Sequence, residues 1–317
     1  MGVNRDKPDR WKSDVAASVD FYNQWFLEFA PKTFKEERAK ATEQVREVIN
    51  LTDQMTHYPP EKLYQHPNTL YVLRMCTAPP LARDRLIGLA GVRKYLVNKM
   101  EKENEIPPSY AQGAVLEELR SIAGVFQQML DTDIFVWIEE ARPASDDEEY
   151  RAATVIADRL TGAVSDPIIR NAQEQRQLEA ISRFLEDRGY TELDPSARDD
   201  WQGLPPGTYA FRMNVPVKNP AGSDVNIPVD VVVEPKSDES DTVLIEAKSA
   251  GDFTNTNKRR KEEAQKINQL RYTYGDEVRY ILFLCGYFDS GYLGYEAAEG
   301  IDWVWEHRIE DIEGFGI

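Results

Sequence analysis

The sequence reads as an α+β protein in which a mainly helical region, residues 1–160, precedes an α/β core of mixed central sheet flanked by helices, residues 161–317. Three observations carry that reading. Apolar residues recur at helical spacing through the first region, between the joints Pro59-Pro60, Pro79-Pro80 and Pro107-Pro108. Short apolar runs with strand character cluster after residue 205. Two helical stretches bracket and interrupt those runs, which is the pattern of a sheet with helices packed on it.

Taken in order, residues 13–30 form an amphipathic helix ending at Pro31, and residues 34–51 form a second. Helices over 81–100 and 110–130 follow. Residues 131–138 make a short apolar strand or helix end, and residues 144–149 are an acidic break before a helix through Leu160. Asp166-Pro167 starts the next helix, with proline at the first helical position, and Gly189 stops it. Leu178, Ile181, Phe184 and Leu185 are its apolar stripe, and Glu174 extends that stripe by one turn. Pro205-Pro206-Gly207 and residues 219–223 are turns, the second joining a strand over 210–217 to one over 227–233 as a hairpin. Strands over 243–248, 279–285 and 301–307 complete the core, with a basic helix from Lys258 to Tyr274 between the first two. No internal repeat or low-complexity tract is present.

Composition narrows the class. A chain of 317 residues that is 41% hydrophobic builds one large domain or two. It has no run of eighteen apolar residues, so no membrane span is expected, and its polar N-terminus points to the cytoplasm. Cys76 and Cys285 read as reduced, buried thiols. With three histidines (His57, His66, His307) and no CxxC pair, a zinc site is not expected.

The chemistry concentrates in two strands. Ile227, Val229, Val231 and Val233 alternate with Pro228, Asp230 and Val232, which puts Asp230 on the less apolar face. In the next strand Leu244, Glu246 and Lys248 share a face opposite Val243, Ile245 and Ala247, with Glu246 and Lys248 about 7 Å apart. Two carboxylates and an amine gathered on apolar strands point to a metal or substrate between them. Mg²⁺ suits such oxygen donors: Asp230, Glu246 and the Ala247 carbonyl. A metal there polarises a phosphate and acidifies water, while Lys248 stabilises negative charge, so the set points to a metal-dependent nuclease. Glu174 is a further candidate for the cluster, whereas Glu179 and Glu186 lie off the stripe. The plain alternatives are a surface hairpin with solvated charges and, for Glu174, a carboxylate near a helix N-terminus.

Candidate DNA contacts lie on either side. Lys258, Arg259, Arg260 and Lys261 directly follow the Glu246 strand and suit phosphate neutralisation; alternatively they pair with Glu262 and Glu263 on a solvated helix. Arg83 and Arg85 follow a Pro-Pro joint and suit guanine contacts or phosphate clamps, or else form a capping and salt-bridge cluster. Against this stands a net charge of −17. The acidic surplus is spread along the chain, and arginine outnumbers lysine. That pattern suits a halophilic host, since the Debye length shrinks to about 3 Å at 1 M salt.

Pro228-Val-Asp230 and Glu246-Ala-Lys248, with fifteen residues between the two carboxylates, resemble the PD-(D/E)XK nuclease core, with a valine between the proline and the aspartate as the one departure. More specific patches run Lys7-Pro-Asp-Arg-Trp11, Ser18-Val-Asp-Phe-Tyr-Asn-Gln-Trp-Phe-Leu-Glu-Phe-Ala-Pro31, Leu73-Arg-Met-Cys-Thr-Ala-Pro-Pro-Leu-Ala-Arg-Asp-Arg-Leu-Ile-Gly88 and Arg170-Asn-Ala-Gln-Glu174-Gln-Arg-Gln-Leu178. They resemble the XamI family of type II restriction endonucleases. The resemblance implies Mg²⁺-dependent double-strand cleavage at a short palindrome, GTCGAC for the family's type member, with a DNA methyltransferase protecting the host. It implies catalytic roles for Asp230, Glu246 and Lys248. A palindrome read by one chain type implies a homodimer on double-stranded DNA, with the helical region serving recognition or dimerisation. Two other readings stand beside it: a repair or recombination nuclease on the same core, and an inactive DNA-binding module.

Overall fold

Period-2 runs of Val, Ile and Leu between glycine and proline turns produce a mixed six-stranded sheet in the order β1-β2-β3-β4-β5-β6. The computed structural model describes residues 2–194, 201–218, 222–237, 241–254 and 256–317, without the side chains of 256–259. The strands are β1 (Thr191–Glu192), β2 (Thr208–Lys218), β3 (Asp224–Glu234), β4 (Val243–Ala250), β5 (Arg279–Gly286) and β6 (Asp302–Trp305). β2, β3 and β4 pair antiparallel in sequence, whereas β4, β5 and β6 run parallel. Parallel neighbours need crossovers. Helices α8 (Thr256–Tyr274) and α9 (Ser290–Ala298) supply them. This is an α+β, restriction-endonuclease-like arrangement.

The remaining helices are α1 (Pro8–Leu51), α2 (Pro60–Gln65), α3 (Thr69–Met75), α4 (Arg83–Ala90), α5 (Lys94–Glu103), α6 (Gln112–Met129) and α7 (Asp146–Asp187). The chain divides into two compact units, one of residues 1–29 with 169–317 and one of residues 30–168. The sequence reading places a single division at residue 160. Residues 1–29 belong with the sheet because Asn4 donates to the Trp303 carbonyl at 2.8 Å and Arg308 pairs with Asp14 at 2.8 Å.

Several helix boundaries differ from the predicted ones. The helices expected over 13–30 and 34–51 are one helix, α1, with Pro31 inside it. Asp166-Pro167 starts nothing, because α7 runs through it from Asp146, and the acidic stretch expected as a break contributes its first turn. A mid-helix proline frees the carbonyl four residues earlier. Those residues here, Leu27 and Ala163, are exposed, so water can satisfy them. The predicted helix over 81–100 splits at Gly91, whose left-handed φ of +65° closes α4. Residues 131–138 form turns rather than a strand, with Phe135 and Trp137 fully buried in the helical unit's core.

The sheet is covered on both faces. The stripe Leu178, Ile181, Phe184 and Leu185 of α7 packs with Tyr209, Val231, Val233, Val243 and Ile245. Ile267 and Leu270 of α8, with Tyr292 and Leu293 of α9, pack with Ala210, Met213, Val229, Val232 and Leu244. The predicted single alternation through β3 is thus corrected. Ile227 and Val229 belong to the α8 side and Val231 and Val233 to the α7 side. The pleat resets at Asp230.

Candidate active site

The β3–β4 ladder pairs Val233 with Val243, Val232 with Leu244 and Val231 with Ile245, and ends there. Asp230 and Glu246 are the next residue on each strand, so the two carboxylates stand where the strands part. β4 meanwhile stays fully paired with β5, from Val243↔Arg279 to Ala250↔Gly286. The free Ala247 amide donates to Asp230 Oδ2 at 2.8 Å. A backbone donor normally used for sheet pairing fixes a carboxylate instead.

Glu246 is buried, at 4% exposure. Its Oε1 accepts from Lys248 Nζ at 2.7 Å and from Lys266 Nζ of α8 at 2.6 Å. Its Oε2 is buried with no hydrogen-bond partner among the described residues. Lys248 Nζ lies 3.4 Å from the fully buried Glu263 Oε1 on α8. Burial alone would depress the Lys248 ammonium, but the carboxylates of Glu246 and Glu263 outweigh it and hold its pKa above the usual lysine value. Burial and the nearby Glu246 charge push Asp230 up to about 6, against the pull of the Ala247 amide.

From the other face, α7 delivers Glu174 and Gln177 one turn apart. Together with Asp230, Glu246, Ala247 and Lys248 they line a cavity of about 230 Å³. Gln177, 1% exposed, donates to the carbonyls of Lys248 at 3.3 Å and Phe283 at 3.2 Å, tying α7 to β4 and β5. Glu174 Oε1 is held by Arg212 Nη2 of β2 at 2.9 Å.

The donor set suits a hard divalent cation. Two adjacent carboxylates, Glu246 buried with an unpartnered oxygen and Asp230 half-buried with a raised pKa, are an arrangement that a cation relieves. Among the described residues no three His, Cys, Asp or Glu side chains converge as a metal cage. Mg²⁺ needs none: one or two carboxylates, with waters and phosphate oxygens, are its usual protein sites.

The XamI restriction endonuclease family model matches residues 53–305. The chain is 52% identical to the type II restriction enzyme SalI of Streptomyces albus G over 318 residues, covering 99% of each. The chain belongs to the XamI family of type II restriction endonucleases. No solved structure matches it.

In this XamI-family enzyme the structure gathers Asp230, Glu246, Ala247, Lys248 and Glu174 about one cavity. Among the described residues, none of the expected DNA contacts lines that cavity. Lys261 is exposed on α8, Arg260 is stacked 4.8 Å from the Tyr295 ring centroid, and the side chains of Lys258 and Arg259 lie outside the described residues. In the helical unit Arg83 and Arg85 open α4. Between them Asp84 pairs with Lys94 at 3.4 Å, and Ala82 makes no side-chain cap.

Sequence reasoning missed Glu263, Lys266, Gln177 and Arg212. Glu263 enters the sequence reading only in the alternative, as an ion-pair partner of the basic run on a solvated helix face. The available signal was its spacing to Ile267 and Leu270, which places a carboxylate on the buried stripe of α8.

Proposed function

We propose that this XamI-family enzyme makes Mg²⁺-dependent double-strand cuts at a short palindrome, GTCGAC being expected from the resemblance, and leaves 5′-phosphate ends. The observation that carries the reading is the pair Asp230 and Glu246 at the parting of β3 and β4, with Lys248 between Glu246 and Glu263. Asp230, Glu246 and the Ala247 carbonyl would hold Mg²⁺. When bound, the ion polarises the scissile phosphate and lowers the pKa of water at the site.

The chain's own groups do the rest. Lys248, kept protonated by two carboxylates, donates to negative charge developing on the phosphate. Glu174, at the cavity edge, completes the acidic set. Gln177 fixes the backbone of β4 at Lys248, so the amine is presented from a rigid strand. Lys258, Arg259, Arg260 and Lys261 of α8, with Arg83 and Arg85 of α4, neutralise DNA phosphates. A homodimer matches the two-fold symmetry of the site, and a methyltransferase of the same specificity protects host DNA. The helical unit serves recognition or dimerisation.

Digestion of unmethylated DNA containing or lacking GTCGAC, with Mg²⁺ or EDTA, tests this. Discrete fragments only with Mg²⁺, blocked by methylation of the sequence and ending in 5′-phosphate, are expected. Smearing, or cutting only at branched structures, would instead indicate a repair nuclease.

A further inference from the structure

β2 and β3 keep one register from Thr208↔Glu234 to Lys218↔Asp224, with one position unpaired inside it. There Arg212 faces Asp230. Arg212 has φ +53°, in the left-handed region that favours glycine and is costly for a long side chain within a strand. Its strand also changes sides at this residue. Tyr209 packs with the α7 stripe, while Met213, Val215 and Val217 pack with the α8 side. Since β3 makes the same change at Asp230, the two facing residues are both extra to the pleat. The effect is to withdraw them from either core. Asp230 turns to the parting of β3 and β4, and the Arg212 side chain stays 64% exposed.

The guanidinium is already at the site. Its Nη2 is 2.9 Å from Glu174 Oε1, and Glu174 lines the cavity with Asp230, Glu246 and Lys248. Exposed pairs of this kind exchange readily with solvent and other anions. A planar fork of donors matches a phosphate better than a single carboxylate oxygen does.

We propose that Arg212 is a catalytic residue that binds a phosphate of the strand being cut, leaving Glu174 as it does so. The proposal rests on the nuclease reading of Asp230, Glu246 and Lys248. The left-handed backbone at Arg212 is what aims the guanidinium along the cavity edge, and the phosphate takes the place that Glu174 holds in the free enzyme.

The test compares wild type, Arg212→Gly, Arg212→Lys and Lys248→Ala. Melting temperature, single-turnover cleavage of a GTCGAC duplex with Mg²⁺, and the salt dependence of duplex binding in Ca²⁺ are measured for each. Glycine accepts the left-handed backbone, so Arg212→Gly should melt at or above the wild-type temperature. Its cleavage should fall by about tenfold to a hundredfold, and its log affinity against log salt should lose about one phosphate contact. Arg212→Lys should be intermediate in rate. Wild-type cleavage and salt slope in Arg212→Gly would overturn the proposal. A large drop in its melting temperature together with lost cleavage would also overturn it, by making the arginine structural. Lys248→Ala separates the two readings: if it is inactive and Arg212→Gly is not, only the arginine's role fails. If Lys248→Ala still cuts, the nuclease centre itself has been misplaced, and the proposal falls with it.

Discussion

Lys248 Nζ lies 3.4 Å from Glu263 Oε1, a carboxylate with no solvent exposure that enters from α8 beneath the strand. The same ammonium is 2.7 Å from Glu246, so one lysine bridges the proposed metal-binding strand and the helix behind it. DNA cannot reach Glu263. Its removal should therefore slow cleavage without weakening duplex binding. Loss of one charge-assisted contact amounts to about 1.5–3 kcal/mol, or roughly tenfold to a hundredfold in rate. Single-turnover cleavage and binding by Glu263→Gln check this; an unchanged rate would show that Lys248 needs no support from α8.

Glu296 gives a stability prediction. It is fully buried, and burial, with the charge of Glu263, pushes its carboxyl up to about 8. Below the ordinary glutamate pKa both folded and unfolded chains hold the proton. Between there and pH 8 only the folded chain does, so Glu296 lowers stability by roughly 1.4 kcal/mol per pH unit as pH rises, and no further above 8. Glu296→Gln removes this dependence. Denaturant unfolding from pH 5 to pH 9 should show the variant gaining on wild type as pH rises, reaching on the order of 4 kcal/mol. A constant difference across that range would contradict the assignment.

Asp230 supplies a metal prediction. Its carboxyl, raised to about 6, favours the proton over an empty charged state, so folding loses stability as pH rises from the ordinary aspartate pKa towards 6. A bound cation reverses that cost once the proton has left. Mg²⁺ should raise the melting temperature more at pH 8 than at pH 5, by mass action. Asp230→Asn should lose most of the Mg²⁺ shift. Equal shifts at both pH values, or an undiminished one in Asp230→Asn, would place the metal elsewhere.

Much of this centre was legible in the sequence, for a physical reason. Glu246, Ala247 and Lys248 lie on one short strand, where period 2 alone sets their faces, and the structure keeps that pattern. The stripe that carries Glu174 to the cavity was equally local. Asp230 was found by position, but its direction was not, because the pleat resets there and alternation carries no sign of an inserted residue. Arg212 is visible only through the register of β2 against β3, and Lys266 only once α8 is packed on the sheet. The two long helices were missed because proline is a local stop signal, whereas at Pro31 and Pro167 exposed carbonyls tolerate it.

The acidic surface carries a prediction about salt. A net charge of −17 repels DNA at low ionic strength, and that repulsion is screened within about 3 Å at 1 M salt. Cleavage of a GTCGAC plasmid measured across a KCl series should persist into molar salt. Loss of all activity just above ordinary ionic strength would remove the case for a halophilic host.

The central claim is that hydrolysis occurs where β3 and β4 part, and Lys248 tests it most directly. A labelled GTCGAC duplex is bound to wild type and to Lys248→Ala without metal, and Mg²⁺ is then added to each. Both should bind the duplex, and wild type should cut while the variant is slowed about a hundredfold to a thousandfold. Cutting by Lys248→Ala at the wild-type rate would contradict the account and move the active site elsewhere in the chain.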